Sequence, residues 1–305
     1  MKRLSLLVPC HNAERFIAPF LAMVAKQTRP YDEVIFYDDA STDGTASRLE
    51  EAGQRVIRGT VNRGAAHARN RLLEAASCEY VHFHDVDDRL DPDLARALLK
   101  EAGPGRVSFC AYRRVWEGAS EAREDRFADL PRGEERVGYF LERFVTFNAM
   151  VCPRETLRRL GGFKEFLRIH EDLHFLLRLA ASDLEFVYTD HVLTEWRLRP
   201  SSTFHAVAAD RVSRLKVKCL ADLAARWPAE LRRQLGPSAL ALAWQMRLRG
   251  DLAPARSAAM LAEYCGVDHI ADRGARLRWV SRVLGVSLAL DWLSLKSGTE
   301  AGEVR

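Results

Sequence analysis

The sequence predicts an α/β fold: a doubly wound, mostly parallel sheet over residues 1–204, followed by a helical extension over residues 205–305. Three observations support this prediction. Short apolar runs alternate with segments of helical periodicity through the first 112 residues, as in βαβ units. The apolar runs end in polar residues, as strands do where such a sheet binds its ligand. After residue 204 only helical periodicity is left.

Five strands are predicted in the first 112 residues. The first is a short apolar run of the kind found in strands buried on both faces, and the second and fourth end in acids. The predicted strands are LSLLVP (4–9), EVIFYDD (33–39), QRVIRG (54–59), EYVHFHD (79–85) and RVSFCAY (106–112).

Helices are predicted between these strands, because apolar residues recur there every three or four positions. Pro92 lies near the start of the last of these helices, where its missing N–H has no cost. The predicted helices span residues 12–27, 42–49, 65–76 and the segment after Pro92.

The remaining residues are less regular up to 204. Residues 113–136 are charged and contain Gly and Pro, so we interpret them as a mobile surface loop. A helix is predicted near 171–182, and strands near 185–189 and 193–198. In the helical extension we expect helix boundaries at Pro228, at Gly236-Pro237, at Gly250 with Pro254, and at Gly266.

Charge and cysteine content exclude several classes of protein. The net charge of +4 divides into −2 for residues 1–204 and +6 for residues 205–305, without the clustered basic face of a nucleic-acid-binding domain. The six cysteines show no C-x-x-C spacing, which favours buried thiols in a reducing cytosol. No apolar run reaches the ~18 residues of a membrane span, and the N-terminal run is too short for a signal peptide. We therefore expect a cytoplasmic protein without a nucleic-acid partner, and leave open a peripheral contact with the inner face of the membrane.

The strongest candidate for chemistry is Asp85-Val86-Asp87-Asp88, which follows the fourth predicted strand. Carboxylates this close repel one another, and a divalent cation removes that repulsion. Oxygen ligands suit Mg²⁺ or Mn²⁺, and such an ion can stabilise a diphosphate as a leaving group. The alternative is a solvated acidic turn that caps the helix beginning at Asp91.

Three further clusters follow predicted strands or begin helices. Asp38-Asp39 can accept hydrogen bonds from a base or a ribose, and can equally form a turn. Arg69 near a helix start can face a nucleotide, or lie on the surface of an amphipathic helix. Arg197 and Arg199 lie on the same side of a predicted strand, where they can meet phosphate oxygens or simply be exposed.

A later segment joins Gly161-Gly162-Phe163 to His170-Glu171-Asp172. A carboxylate at the head of a helix can take a proton from a hydroxyl, or can simply complement the helix dipole. Residues 170–174 also fit the H-E-x-x-H pattern of zinc proteases, with Glu195 as a further ligand. That zinc interpretation leaves the N-terminal sheet and its acids unexplained.

Taken together and in this order, the segments resemble the family 2 glycosyltransferases of the GT-A fold. The resemblance covers about residues 1–204 and implies a catalytic domain with a nucleotide-sugar half at 1–112 and an acceptor half at 137–204. The matching motifs are LLVPCHN, QTRP (27–30), EVIFYDDASTDGT, NRGAAHARN, EYVHFHDVDD, AMVCPRETLRRLGGF and HED (170–172).

The resemblance implies a role for each matched residue. Asp172 would be the general base. Asp87 would be the main ligand of a Mn²⁺ or Mg²⁺ cofactor, with Asp85 as a second ligand nearer the ribose or sugar. Asp39 would contact the base, usually uracil. The implied donor-binding residues are Pro9, Asn12, Asp39, Arg69, Asp85, Asp88 and Arg199, and the implied acceptor-side residues are Gly162, Phe163 and Glu171.

The implied reaction moves a sugar from a nucleotide-sugar donor, most simply a UDP-sugar, to a hydroxyl of a glycan or lipid-linked acceptor, as in cell-envelope polysaccharide synthesis. Since one carboxylate serves the reacting carbon, the anomeric configuration should invert. The alternatives are a non-catalytic sugar-nucleotide or glycan-binding relative and the zinc hydrolase. A dinucleotide-binding protein is disfavoured, because no G-x-G-x-x-G follows the first strand.

The helical extension suggests a partner of its own. Residues 273–296 combine four arginines with tryptophan, valine and leucine residues. Such a segment is typical of helices that lie on an anionic membrane, and equally of helices that pack on their neighbours or on a second subunit.

Overall fold

The computed structural model describes residues 2–118, 121–199 and 207–268, together with residues 286, 287 and 290. The chain divides into two compact units. The first comprises Met1–Gly133 with Glu142–Ala206, and the second comprises Glu134–Leu141 with Val207–Arg305.

The first unit is built on one mixed sheet. Among the described residues the sheet has nine strands, in the order β3-β2-β1-β4-β8-β6-β9-β5, with β7 paired to β6. The strands are β1 Leu4–Cys10, β2 Glu33–Asp38, β3 Arg55–Arg58, β4 Tyr80–Phe83, β5 Arg89–Leu90, β6 Arg106–Trp116, β7 Ala122–Asp125, β8 Met150–Pro153 and β9 Glu185–Leu198. The four strands of the N-terminal half are all parallel, whereas β8 enters antiparallel between β4 and β6.

Helices cover this sheet as the periodicity predicts. Leu6 and Val8 of β1 pack with Ile17 and Phe20 of α1 in one apolar cluster. After β3 the chain returns to the far side of β1, where β4 pairs, and the connecting helix α3 packs against β1 and β2. The helices of this part are α1 Glu14–Ala25, α2 Thr45–Glu51, α3 Ala65–Ala75, α4 Leu94–Glu101, α6 Arg154–Arg159 and α7 Glu171–Ala180. The predicted doubly wound α/β sheet is therefore confirmed.

The prediction of a mobile loop over residues 113–136 is wrong for much of that stretch. Strand β6 continues to Trp116 and pairs with β7, and Arg114 of β6 forms an ion pair with Asp125 of β7. Among the described strands β7 pairs only with β6, and it is exposed over most of its length, so its charged sequence resembles a loop.

The two strands predicted near 185–189 and 193–198 are one bent strand. Strand β9 runs from Glu185 to Leu198, and its register with β6 shifts after Thr189. Local periodicity breaks at such an irregularity, which explains why the sequence predicted two pieces.

The second unit is helical over its described residues. Its helices are α5 Glu135–Glu142, which ends one residue into the first unit, α8 Ala209–Arg226, α9 Ala229–Arg233, α10 Gly236–Leu248 and α11 Leu252–Tyr264. The predicted boundaries at Pro228, Gly236-Pro237, Gly250 and Gly266 each lie at a helix end or start.

Two sequence predictions lie outside the described residues. The segment 273–296 is described only at residues 286, 287 and 290, and the predicted domain boundary near 204 lies within the undescribed range 200–206. In the part of the chain that is described, none of the helices combines the length and the apolar character that crossing a bilayer requires.

Candidate active site

Most of the predicted site residues gather at the carboxyl edge of the parallel strands. Strand β1 lies between β2 and β4, and the order of the strands reverses at this point. Cys10 ends β1, Asp38 ends β2, and Asp85 follows β4 by two residues. A crevice at the reversal point is where open α/β sheets bind ligands.

Asn12 holds the turn that follows β2. Its side-chain Oδ1 accepts a hydrogen bond from the backbone N–H of Thr42 at 2.8 Å, and its own N–H donates to Oγ of Ser41 at 2.9 Å. Asn12 has a positive φ of 48°, which Asn tolerates better than most residues. The neighbouring Pro9 lies within β1, opposite Tyr37 of β2.

Asp39 fixes the start of helix α3. Its buried carboxylate accepts hydrogen bonds from the backbone N–H of Arg63 at 3.0 Å and of Gly64 at 2.6 Å. Gly64 precedes α3 with φ 89° and ψ 172°, a conformation essentially restricted to glycine. Asp39 therefore couples the end of β2 to the helix that carries Arg69.

Arg69 joins the two parts of the predicted site. Its guanidinium donates to Oδ1 of Asp85 at 3.0 Å and to Oε1 of Glu171 at 2.9 Å, although these residues are far apart in the sequence. Arg69 is only 7% exposed, and its Nε has no hydrogen-bond partner. The guanidinium also lies 5.5 Å from the ring centre of Phe163.

The charges of this group are strongly coupled. Burial lowers the pKa of Arg69, but the carboxylates of Asp85 and Glu171 raise it by more, so Arg69 stays a cation. Burial and the charge of Asp172 raise the pKa of Glu171 to about 7, against the lowering effect of Arg69. Glu171 can therefore exchange a proton near neutral pH, although it is buried.

Asp172 lies beside Glu171 in the first turn of α7 and is partly exposed. Its Oδ1 accepts a hydrogen bond from the backbone N–H of Leu173 at 2.7 Å. His170 precedes the helix with a positive φ of 66°, which turns the chain sharply into α7. Asp172 is thus the more accessible carboxylate of the pair, while Glu171 faces inward to Arg69.

Asp87 faces a second buried arginine. Arg199 forms an ion pair with Oδ2 of Asp87 and donates to its backbone carbonyl at 2.7 Å. Burial and the charge of Asp85 raise the pKa of Asp87, and Arg199 lowers it. The sequence places Arg197 and Arg199 on the same side of a strand, but β9 ends at Leu198, so Arg199 lies beyond it. The side chain of Arg197 is 45% exposed, against 7% for Arg199.

Asp88 lies beneath the loop rather than on its surface. It is 3% exposed, its Oδ1 accepts from the backbone N–H of Arg197 at 2.7 Å, and its Oδ2 accepts from the side-chain amide of Asn148. Burial, then the charges of Asp87 and Asp85, raise its pKa well above the usual value. Both oxygens are used internally, so the structure gives Asp88 a supporting position instead of the predicted contact with the donor.

Phe163 and Gly162, which the resemblance placed on the acceptor side, are both buried. Phe163 is 2% exposed and its ring centre lies 4.6 Å from that of Phe175, so its side chain belongs to the core and not to a surface that meets an acceptor. Its N–H donates to Oδ1 of Asn70 at 2.7 Å. Gly162 has φ 59°, and a Cβ there would collide with the same Asn70 oxygen.

The zinc interpretation of residues 170–174 does not fit the geometry. Nδ1 of His174 accepts a hydrogen bond from Nε of Arg178 at 3.1 Å, and Glu171 is held by Arg69. Across residues 2–118, 121–199 and 207–268, no three histidine, cysteine or acidic side chains are placed to hold a metal ion.

Asp85 and Asp87 do fit a divalent cation that is held jointly with a substrate. Their side chains are 33% and 36% exposed. The negative charge of Asp85 raises the pKa of Asp87, because the two carboxylates repel each other, and a bound cation would relieve that repulsion. Mg²⁺ is typically bound by one or two carboxylates together with substrate phosphates. A pair of carboxylates, and not a closed set of three, matches that mode of binding.

Two features of the site were missed at the level of sequence. The role of Asn148 has no local signal, because an isolated Asn within a mixed segment predicts nothing. The link between Arg69 and Glu171 spans 102 residues, and only a fold prediction that brings α3 next to α7 would have found it.

Curated relatives match parts of the chain. EpsJ of Bacillus subtilis, an uncharacterized glycosyltransferase, is 31% identical over 213 residues, which cover 65% of this chain and 62% of EpsJ. EpsH of the same organism is 29% identical over 145 residues, 46% of this chain and 42% of EpsH. The chain thus spans less than half the length of EpsH. WfgD of Escherichia coli, a UDP-Glc:α-D-GlcNAc-diphosphoundecaprenol β-1,3-glucosyltransferase, is 37% identical over 87 residues, 28% of this chain and 34% of WfgD.

Solved structures share the fold. TarS 1–349 of S. aureus superposes with a TM-score of 0.66 at 18% identity, covering 99% of this chain and 93% of that one. PcManGT of Pyrobaculum calidifontis, a mannosyltransferase solved with GDP-Man and Mn²⁺, superposes with a TM-score of 0.61 at 24% identity, covering 96% and 87%. The predicted GT-A fold is confirmed by these similarities.

The family model described as "Glycosyl transferase family 2" matches residues 5–161, more than half of the chain. The matched range includes the polar ends of β1, β2 and β4, where the acidic side chains of the site lie. The chain belongs to glycosyl transferase family 2.

Proposed function

We propose that the protein is an inverting glycosyltransferase, which moves a sugar from a nucleoside diphosphate donor to a hydroxyl of a glycan or lipid-linked acceptor. The observation that carries this proposal is the bridge made by Arg69. One buried guanidinium holds both Asp85, which is a proposed metal ligand, and Glu171, which is next to the proposed base Asp172. The proposed metal ligand on the leaving-group side and the proposed base on the side of the attacking hydroxyl are thereby held close together.

Asp172 is the proposed general base. It is partly exposed, whereas Glu171 is buried and paired, so an acceptor hydroxyl can reach Asp172 more readily. Asp172 takes the hydroxyl proton as the oxygen attacks the anomeric carbon, and the bond from that carbon to the diphosphate breaks. The nucleoside diphosphate leaves on the opposite side, so a single displacement inverts the configuration.

Asp85 and Asp87 are the proposed ligands of Mn²⁺ or Mg²⁺. When bound there, such an ion would neutralise the charge that develops on the departing diphosphate. Arg199 beside Asp87 keeps a second positive charge at the same edge. Arg69 fixes the orientation of Asp85 through the hydrogen bond to its Oδ1.

A uridine nucleotide is the proposed donor. TarS of S. aureus was solved with UDP and with UDP-GlcNAc, and WfgD is named for UDP-Glc. PcManGT was solved with GDP-Man, so the nucleoside diphosphate is the part of the donor that these proteins share. Relatives named for teichoic acid poly(glycerol phosphate), for poly(ribitol-phosphate) and for diphosphoundecaprenol support an acceptor from cell-envelope synthesis.

The test is a panel of UDP- and GDP-sugars, scored by release of the nucleoside diphosphate with Mn²⁺, with Mg²⁺ and with EDTA. We expect release from a UDP-sugar that is lost in EDTA and restored by the metal. In calorimetry, the wild-type protein should bind UDP only when the metal is present, and Asp87→Ala should lose this metal-dependent binding.

Asp190→Ala is the matched control, because Asp190 is an exposed acid on β9 that pairs with Arg126. It should leave metal-dependent UDP binding unchanged. Equal UDP binding by the wild-type protein and Asp87→Ala without metal would contradict the metal assignment. No turnover of any nucleotide sugar would contradict the enzymatic proposal.

We also propose that the helical unit contacts an anionic membrane surface, where a lipid-linked acceptor would reside. On α11, Leu252 and Met260 are 55% and 57% exposed, and they lie with Arg256 at four-residue spacing along one side of the helix. An apolar stripe that contains a cation is complementary to an anionic lipid surface.

A further inference from the structure

The amide of Asn148 contacts both ends of the acidic loop Asp85–Asp88. Its Oδ1 accepts a hydrogen bond from the backbone N–H of Asp85 at 3.1 Å, and its Nδ2 donates to Oδ2 of Asp88. Asn148 is only 2% exposed, and the loop between the two contacts contains Asp87. One side chain therefore spans the segment that carries both proposed metal ligands.

The orientation of this amide is fixed by chemistry. A backbone N–H can only donate, so Oδ1 must face the N–H of Asp85, and Nδ2 is then the group that donates to Oδ2 of Asp88. The reverse orientation would place two donors together at one end and two acceptors at the other. Asn148 is thus matched to this loop in a way that no residue of the same size but different chemistry reproduces.

The backbone of Asn148 is held just as firmly. Its carbonyl accepts a hydrogen bond from Nε2 of His82 at 2.9 Å, and Nδ1 of His82 accepts from the hydroxyl of Tyr31 at 2.8 Å. Burial lowers the pKa of His82 to about 3, so its ring stays neutral and one tautomer satisfies both contacts. The amide is therefore anchored to the sheet beneath the loop through β4.

We propose that Asn148 is a positioning residue that sets the placement of Asp85 and Asp87 for a divalent cation. The inference depends on the proposed function, since it concerns the same cation. Asn148 acts on the ligands through the loop backbone and through Asp88, and it does not touch the ion itself. Groups that orient metal ligands in this way typically change metal affinity about 10–100-fold when they are removed.

The experiment measures Mn²⁺ binding by the electron paramagnetic resonance signal of free Mn²⁺, in the presence of UDP. We expect Asn148→Ala to weaken Mn²⁺ binding about 10–100-fold. Turnover should return toward the wild-type kcat at high Mn²⁺, because the variant raises the Mn²⁺ requirement and leaves the base intact. Gln27→Ala is the matched control: Gln27 is a buried amide that likewise bridges two groups, donating to the carbonyl of Asp91 and accepting from the N–H of Ala95.

A swap of donor and acceptor tests the contact without opening a cavity. Asp88→Asn places an amide donor against Nδ2 of Asn148, so this single variant should weaken Mn²⁺ binding as Asn148→Ala does. The double variant Asn148→Asp with Asp88→Asn keeps the net charge and exchanges the roles. Its carboxylate at position 148 accepts from the N–H of Asp85 and from the amide introduced at position 88. We expect the double variant to recover most of the lost affinity.

Four results separate the possibilities. Wild-type Mn²⁺ affinity in Asn148→Ala, or an equal loss in Gln27→Ala, would overturn the inference, and so would a double variant weaker than Asp88→Asn alone. If the wild-type protein binds no Mn²⁺ with UDP, the proposed metal site itself fails. That result differs from a failure of Asn148, because it appears before any substitution is made.

Discussion

Arg69 illustrates how the role of one residue depends on its environment. The sequence places it on a helix as a nucleotide contact, whereas the structure buries it between Asp85 and Glu171. A buried cation is tolerated only when it is paired, and removing one partner leaves an uncompensated charge. Arg69 therefore couples two carboxylates, and its positive charge lowers the pKa of Glu171 against the effect of burial.

Asp172→Asn should abolish transfer and leave binding intact. The variant keeps the size and the hydrogen-bonding ability of the side chain but cannot take a proton, so we expect kcat to fall about 10²–10⁴-fold. Metal-dependent UDP affinity, measured by calorimetry, should stay within error of the wild-type value. Asp183→Asn, the same change at an exposed position beyond the end of α7, is the control. Transfer at a similar rate in Asp172→Asn would assign the base to another residue.

Glu171→Gln should change how stability depends on pH. The pKa of Glu171 is raised from its ordinary 4.5 to about 7, so between these values the folded chain keeps a proton that the unfolded chain has lost. The unfolding free energy therefore falls as pH rises through this window, and Gln removes that contribution. Denaturant titrations give the unfolding free energy of each protein. From pH 5 to pH 7.5, the unfolding free energy of the variant relative to that of the wild type should rise by ~1–3 kcal/mol.

Glu165→Gln should change the pH dependence of stability in the opposite direction. Burial raises the pKa of Glu165, but hydrogen bonds from Asn70 and His67 lower it by more, so the net shift is downward. Its carboxylate stabilises the folded chain above the ordinary pKa, and that stability is lost as pH falls. Parallel pH profiles of the two variants would contradict the assignment for Glu171.

At the scale of elements, the site depends on how α3 and α7 begin. Helix α3 starts after Gly64, whose N–H donates to Asp39, and it carries Arg69 one turn later. Helix α7 starts after a left-handed His170 and presents Glu171 and Asp172 in its first turn. Helix starts attract carboxylates, because their free N–H groups and the helix dipole favour negative charge.

Gly64→Ala should disturb the start of α3. The φ and ψ values of Gly64 lie in a region essentially restricted to glycine, so we expect a loss of ~1–3 kcal/mol in unfolding free energy and weaker UDP binding. The new Cβ would also lie 2.7 Å from Nη1 of Arg168, but that side chain is exposed and can move. Denaturant titration and calorimetry measure the two effects.

Gly53→Ala is the control for Gly64→Ala. Gly53 has φ 70° in the turn between α2 and β3, with open space around its Cβ position. It should lose ~1–2 kcal/mol without any change in UDP affinity. If Gly64→Ala retains full UDP affinity despite lower stability, the coupling of Asp39 to α3 does not affect the nucleotide.

At the scale of the whole molecule, the net charge differs between the two parts of the chain. Residues 1–204 carry the site and a net charge of −2, while residues 205–305 carry +6. The exposed large apolar side chains of the described helical unit include Leu248, Leu252, Met260 and Tyr264, all on α10 or α11. A basic segment with exposed apolar residues is suited to an anionic surface.

Leu252→Ser with Met260→Ser should weaken binding to vesicles that contain an anionic phospholipid. We expect a several-fold loss in flotation assays, and binding that also falls with added salt, because screening weakens the attraction between basic residues and anionic lipid. Val61→Ser is the control, because Val61 is 66% exposed in the other unit. Unchanged vesicle binding would contradict the proposal, and a shift from dimer to monomer in light scattering would instead identify the stripe as a contact between two copies.

The sequence alone determined the alternation of strands and helices, the acids at the ends of β2 and β4, and the helical character of the C-terminal part. These features follow from local periodicity and from residue types that lie within a few positions of one another. The tertiary structure decided which of those residues act together. Asp88 faces inward to Asn148, Phe163 lies in the core, and Arg69 reaches Glu171. The two hydrogen bonds join residues that are 60 and 102 positions apart, so they depend on the order of the strands and on which helices pack beside them. Burial and partners of this kind arise only when the chain is packed, and they set the charge and orientation of each side chain in the site.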